Sequence, residues 1–423
     1  MKKKILVKGP ILSRSGYGEQ TRFAIRSLRS YEKYLDIFII PTSWGKTGWV
    51  WEESEEREWM DERIKQTAFY VNQGGNFDIS LQVTIPNEWE KLAPINIGYT
   101  AGIETTKVAP HWVEKSYLMD KIIVVSNHAK EVYENTSYTA HDKSTGKVVN
   151  DFKCQTPIEV VNYPVRELGN PDGLDIELET DFNFLVSSQW GPRKNIENTI
   201  KWFVEEFHDQ EVGLVAKLNW HNDSLNDRIG TTTRLKRLLS TYEGRKCKVY
   251  LLHGSFKDQE MANLYAHPKI KAYVSLTHGE GYGLPLFEAA YHGLPIIAPD
   301  WSGHLDFLYM PVKDKKTKKE KMKSMFTKVD YKLAPIPQEA VWDGVLQEDS
   351  MWCYSDQGSY KMKLREMRSK YTHKKKQAEK LQQWILENFE ASRMYDKFAN
   401  AVVPFKEFEE AEKEIDSLLE GII

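Results

Sequence analysis

The sequence predicts an α/β protein built from two doubly wound domains that face a central cleft. Three observations lead there. Short apolar runs of strand type alternate with stretches of helical periodicity, the alternation restarts halfway along, and 423 residues exceed what one hydrophobic core organises. The first-half runs fall at residues 5–7, 37–40, 79–83, 95–99, 122–125 and 158–161, and most close on Gly, Ser, Asn or Pro. Strands separated by helices pair in parallel, with helices covering both faces of the sheet. The second-half runs fall at 184–187, 212–216, 249–252, 272–275 and 296–298, which makes a second sheet of the same kind. Beyond residue 361 the pattern is almost all helical and is broken at Pro404.

The boundary belongs in residues 164–181, where YPVRELGNPDGLDIELETD is rich in turn formers and acids. In doubly wound sheets ligands sit beyond the carboxyl ends of the strands, so chemistry is sought in the loops after Val7, Ser187, Ala216, Leu252 and Ser275. Two segments depart from this plan. Residues 44–60 set four tryptophans beside a run of acids, as a solvated helix with anchoring aromatics or as a loop on which a ligand stacks. Residues 313–323, KDKKTKKEKMK, read as a solvated loop or as a polyanion contact.

Composition narrows the function classes. With 41% hydrophobic, 12% aromatic and 28% charged residues the chain is a globular enzyme in type and not a disordered segment. Thirteen tryptophans leave some over for stacking on flat ligands. A net charge of -3 supplies no global attraction for a polyanion. Cys154, Cys247 and Cys353 lack CxxC or Cys/His spacing, so neither a disulfide framework nor zinc is expected, and a reducing cytoplasm fits. The apolar stretch after MKKK ends at Lys8, too short for a signal peptide, and no later run reaches the ~20 apolar residues that span a bilayer.

Residues 272–306, AYVSLTHGEGYGLPLFEAAYHGLPIIAPDWSGHLD, hold the densest set of chemical signals. A strand runs into a loop in which Gly279, Gly281 and Gly283 are expected to take positive φ and approach a ligand. A helix then starts, with Pro285 in its first turn and Gly293 at its end. Its unpaired N–H groups and the positive end of its dipole suit a diphosphate. Glu288 would repel phosphate and suits a ribose diol, while Glu280 faces whatever lies beyond the phosphates. As single residues, Glu288 is equally well a helix-start carboxylate and Glu280 a surface acid.

Together, Glu280 and Glu288 within EGYGLPLFE, followed by EAAYHGLPIIA, resemble the Glu, seven residues, Glu signature of retaining GT-B glycosyltransferases, and glycosyltransferase family 4 in particular. The resemblance implies a GT-B fold: an N-terminal acceptor domain over 1–168, a sugar-nucleotide domain over 169–404, and C-terminal helices returning to the first domain, with a helix at about 405–423. It implies catalytic roles for Glu280 beside the donor sugar and Lys194 at the diphosphate. In SSQWGPRKN, residues 187–195, the family's Lys stands at Lys194, but Gln189 occupies the position of its usual Arg, so Arg193 or Lys217 is expected to supply the second charge. Further donor contacts are implied for Gly16, Tyr17 and Gly18 in the first glycine loop, and for Gly281, Tyr282, Gly283, Leu284 and Glu288. In the stretch 98–127 Glu104, Thr105 and His111 become acceptor-side candidates, while Ser126 and Asn127 read as a helix cap.

The implied reaction needs no cofactor and no metal: fixed charges stabilise the leaving diphosphate, and no general base is named. Expected partners are a sugar nucleotide and a carbohydrate or lipid-linked acceptor. Two alternatives remain open at this point. One is a DNA glycosyltransferase acting on a hydroxymethylated base, with 313–323 attracting the backbone. The other is a non-catalytic sugar-nucleotide-binding protein or an epimerase.

Overall fold

The computed structural model describes residues 2–51, 53–141, 146–166, 174, 176–314 and 317–405. The first half contains β1 (Lys3–Gly9), α1 (Gly16–Arg29), β2 (Leu35–Pro41), α2 (Glu55–Asn72), β3 (Ile79–Val83), β4 (Ile95–Thr100), α3 (Pro110–Ser116), β5 (Lys121–Val124), α4 (Asn127–Asn135), a hairpin of β6 (Ser137–His141) and β7 (Val148–Lys153), and β8 (Ile158–Val160). Its sheet runs β2-β1-β3-β4-β5-β8, parallel throughout. Ile5, Leu6 and Val7 are all buried, as a strand covered on both faces requires.

The second half repeats the plan with β9 (Asn183–Gln189), α5 (Ile196–Phe207), β10 (Gly213–Asn219), α6 (Leu225–Leu239), β11 (Lys248–Leu252), α7 (Asp258–Ala266), β12 (Ile270–Val274), α8 (Leu284–Tyr291), β13 (Ile296–Pro299) and α9 (Leu305–Leu308). There follow a hairpin of β14 (Tyr309–Lys313) and β15 (Glu320–Ser324), then β16 (Thr327–Val329), a pair of β17 (Tyr331–Pro335) and β18 (Met351–Ser355), and three helices, α10 (Gln357–Ser369), α11 (Tyr371–Asn388) and α12 (Ala391–Val402). The main sheet runs β11-β10-β9-β12-β13-β16, also parallel. That is the doubly wound order with its switch point between β9 and β12, so the loops after these two strands diverge and leave a crevice.

Every apolar run expected as a strand overlaps one. The elements not anticipated are the short β16 and the antiparallel pairs β6–β7, β14–β15 and β17–β18; of these only β14 (YMPV) and β18 (MWCY) hold a continuous apolar run. The lysine run 313–323 is not wholly a loop: its second half is β15, with Lys321 and Lys323 exposed. Residues 44–60 divide into a loop and the start of α2, whose N-cap Ser54 accepts from Arg57 N–H.

The return to the first half is made by α12. Phe398 packs on Phe23 and Tyr99 with ring centroids 5.0 and 4.8 Å apart, Tyr31 Oη donates to Asp396 at 2.8 Å, and Lys121 Nζ donates to the Ala401 carbonyl at 2.7 Å. The helix expected at about 405–423 lies, from residue 406 on, outside the described residues.

Candidate active site

The loop after β12 brings the two halves together. Gly283 is the N-cap of α8 at φ +95°, a conformation that side chains rarely adopt, and Leu284 and Pro285 open the helix. Gly279 and Gly281 do not take positive φ, contrary to expectation. They are small for another reason: a Cβ on Gly281 would stand 1.8 Å from the Ala101 carbonyl oxygen and one on Gly279 2.1 Å from that of Glu104. The glycine loop therefore lies directly on the 101–104 backbone of the first half. Ser126, the N-cap of α4, adds a bond across this seam, its hydroxyl donating to the Gly281 carbonyl at 2.6 Å.

Glu280 emerges from that loop into a cluster of four charges. Lys194 Nζ lies 2.5 Å from its Oε1 and Arg193 3.2 Å from its Oε2, and Arg193 Nε also pairs with Glu104 at 2.7 Å. Burial pushes the Glu280 carboxyl up, but Lys194 and Arg193 outweigh it and hold it down at about 2. Burial also raises Glu104, opposed by Arg193 and Lys194 and reinforced by Glu280, and burial together with Arg193 lowers Lys194 against the attraction of Glu280 and Glu104. The backbone is strained to build this arrangement: Asn195 sits at φ 52° and Ser302 at φ 86°. The Ser302 hydroxyl accepts the Glu280 N–H at 3.0 Å, which fixes the acid from the loop after β13.

Glu288, one turn into α8, is held by residues the sequence did not single out. Its Oε1 pairs with Arg166 and its Oε2 accepts from Tyr265 Oη, at 2.9 and 2.8 Å. Arg166 comes from the segment that joins the two sheets and also pairs with Asp258 at 2.9 Å and Glu19 at 3.8 Å. Burial raises the Glu288 carboxyl, against the attraction of Arg166.

Both glutamates line a cavity of about 790 Å³ between the halves, together with Lys194, Arg193, Lys217, Gln189, Glu104, Gly16, Tyr17, Gly281, Tyr282, Gly283 and Leu284. Their parts differ. Lys217 Nζ donates to the Gly254 carbonyl at 2.9 Å, so this cation is fixed beside the cavity. Tyr17 is an anchor: its hydroxyl accepts from the Gly102 N–H at 3.0 Å and its ring stacks on Trp44 at 4.1 Å. Tyr282 is a core ring packed on Phe287 and Phe307. Gly18 lies behind the lining, where a Cβ would meet the Ser13 carbonyl at 2.0 Å, whereas Gly16 faces open space. Thr105 is buried and closes a turn onto Lys107 at 2.8 Å. His111 is not brought into the cavity; it pairs with Glu114 at 3.0 Å on the outer surface of α3. Among the described residues no group of three or more His, Cys, Asp or Glu is placed to hold a metal ion, and no helix is long and apolar enough to cross a membrane.

Sequence reasoning missed Arg166, Tyr265, Ser302 and Trp342. Only Arg166 carried a signal, as the one basic residue in the acidic joining segment. The others reach the site by tertiary folding alone.

Comparison with known proteins gives a consistent picture. No protein-family model matches the chain. A serotype-specific mannosyltransferase, WbdA of Escherichia coli, is 31% identical over 121 residues, 28% of this chain but only 13% of the relative's length. A glycosyltransferase from Rickettsia africae superposes with TM-score 0.58 at 14% identity, covering 95% of this chain and 99% of that one. Sucrose-phosphate synthase from Thermosynechococcus elongatus gives 0.59 at 12% identity, over 97% and 100%. HepE of Anabaena, solved with UDP-glucose, gives 0.54 at 12% identity, over 94% and 98%. The chain has the GT-B fold, with two Rossmann-like domains, and it resembles GT-B glycosyltransferases in sequence.

Proposed function

We propose that this chain is a retaining, metal-independent glycosyltransferase that moves a sugar from a nucleotide-diphosphate sugar to a hydroxyl of a glycan or glycolipid. One observation carries the reading: Glu280 and Glu288 enter a single cavity from either side of the α8 start, with Lys194 and Arg193 beside the first acid. In this reading the diphosphate lies at the α8 N-terminus, where N–H groups and the helix dipole offset its charge without a metal. Lys194, Arg193 and Lys217 supply the cations that the Gln189 position lacks. The ribose diol bonds Glu288, sharing it with Arg166, and the sugar lies against Glu280.

Transfer then breaks the bond between the anomeric carbon and the diphosphate oxygen while the acceptor oxygen bonds the same face of that carbon. The acceptor proton passes to the departing phosphate. Glu280, held ionised, stabilises positive charge on the sugar ring. A cytoplasmic setting belongs to the proposal and agrees with three free cysteines, Cys154, Cys247 and Cys353.

Similarity to a mannosyltransferase makes GDP-mannose the first donor to test, with UDP-glucose second. A cognate donor should raise the melting temperature of the wild type, Lys194→Ala and Glu288→Ala should abolish the shift, and NMR of the product should show a retained anomeric configuration. If no sugar nucleotide stabilises the protein, the proposal fails. A DNA acceptor gains nothing here: no described residue of 313–323 lines the cavity, and the relatives point to carbohydrates.

A further inference from the structure

His111 stands away from the cavity and Thr105 is spent on a turn, so of the acceptor-side residues only Glu104 reaches the cavity. The structure offers a different wall. Between β17 and β18 the second domain sends an arm, residues 336–350, across to the first. Val345 is buried in the cluster of Trp89, Ile103, Val108 and Trp112, all first-domain residues. Asn87 Nδ2 donates to the Gly344 carbonyl at 3.0 Å, Thr106 Oγ1 accepts the Met351 N–H at 3.0 Å, and Lys107 pairs with Asp349. The tip is a closed turn in which the Val345 and Leu346 N–H groups donate to the Trp342 carbonyl, both at 2.8 Å. Trp342 is therefore fixed at its backbone by a turn that the first domain holds through Gly344 and Val345, yet the residue is 58% exposed and lines the cavity with Val345 and Leu346.

A large ring whose backbone is fixed and whose face is open to the cavity offers a flat apolar surface for a ligand there. The surroundings select the occupant. The arm rests on residues 102–107, next to Glu104, which pairs with the Arg193 and Glu280 cluster. A surface with one flat apolar face and charged hydrogen-bonding groups at its margin fits a pyranose, which has an apolar face of C–H groups and a rim of hydroxyls. Glu104 and Arg193, paired with one another, keep further lone pairs and N–H groups for the hydroxyls of a sugar, which an alkyl chain would cover without bonding.

We propose that Trp342 is the platform of the acceptor site, and that the acceptor is a carbohydrate whose ring stacks on the indole while Glu104 takes one of its hydroxyls. The second domain thus contributes to acceptor recognition as well as to the donor site. This inference rests on the glycosyltransferase reading above.

The test measures transfer from GDP-mannose or UDP-glucose, whichever shifts the melting temperature, to methyl α-mannoside, methyl α-glucoside and octyl α-mannoside. Trp342→Ala should raise the acceptor KM at least tenfold while the donor KM stays within twofold, and Trp342→Phe should recover most of the loss. An unchanged acceptor KM, or equal losses for donor and acceptor, overturns the platform with the glycosyltransferase reading intact. A loss that follows the octyl chain and spares the methyl glycosides also overturns it, in favour of a lipid contact. If the wild type neither binds nor turns over a sugar nucleotide, the reading and the inference fall together, which the donor shift alone reveals.

Discussion

Glu280 is buried with two cations, and its charge bears on stability and, in the proposed reaction, on catalysis. Its folded pKa of about 2 lies below the ordinary 4.5, so its contribution is present in full above pH 4.5 and is lost as pH falls toward 2. The shift corresponds to about 3 kcal/mol. Glu280→Gln should therefore lower stability by about that much at pH 7, and its denaturation midpoint should fall less steeply than the wild type's between pH 5 and 2. Turnover should drop about 10²-fold or more, on the scale of removing one transition-state electrostatic contact. Arg166 makes the opposite pH case. Arg166→Met leaves Glu288 buried beside Tyr265 without its cation, so the acid's pKa rises and the native state holds its proton more tightly than the unfolded chain. The variant should be destabilised by about 3 kcal/mol at pH 8 and recover as pH falls toward 5, as urea titrations at the two pH values would register. Glu280, Glu288 and Lys194 were legible in the sequence because each sits in a local strand, loop and helix pattern. Arg166 and Ser302 were not, because their distance to the acids is set by the joining segment and by the loop after β13.

At the scale of elements, apolar runs revealed the core of both sheets, since a strand buried on two faces must be apolar throughout. The antiparallel pairs each join a strand with a run or none to an exposed, charged partner: β14 (YMPV) and β18 (MWCY) pair with EKMKS and YKLAP, so no pair reads as a strand buried on two faces. Hairpin β14–β15 is the instructive case, because KMK in β15 reads as solvated sequence and is solvated, but as a strand. Its lysines lie outside the cavity, so Lys321→Gln with Lys323→Gln should change stability by less than about 0.5 kcal/mol and leave turnover within twofold. A marked loss of turnover at low salt, or a double-stranded DNA affinity that disappears with the lysines, would show that the run has a ligand. Helix α12 behaves differently. Phe398 is fully buried between Phe23 and Tyr99, and Phe398→Ala should cost about 3–5 kcal/mol by leaving a cavity where the chain returns to the first domain. Calorimetry should then show the first domain melting earlier than the second.

The whole molecule depends on how closely the two domains approach. The glycine loop was expected to be small for the sake of a ligand, and the structure shows it is small for the sake of the other domain. Gly281 rests on Ala101, Ser126 bonds the Gly281 carbonyl, and Asp306 accepts from Asn127 and Asn162 at 2.9 Å each. A methyl group at Gly281 would stand inside the Ala101 carbonyl oxygen, which is backbone and cannot turn aside. Gly281→Ala should therefore push the domains apart locally and break the Ser126 bond. The proposed donor groups Lys194, Glu280 and Glu288 belong to the second domain, so they keep their mutual geometry, and donor affinity should weaken only severalfold. In the proposed reaction, transfer needs Glu104 and the arm around Trp342 at about their present distance from Glu280, and displacements near 1 Å cost on the order of 10²-fold in rate. The variant should thus separate binding from turnover: a retained donor-induced melting shift, a fall in transfer of about 10²-fold, and faster amide exchange at 126–129. If transfer instead stays within fivefold while the shift is lost, the glycine serves the donor, as the sequence alone suggested, and the seam between the domains tolerates the extra atom.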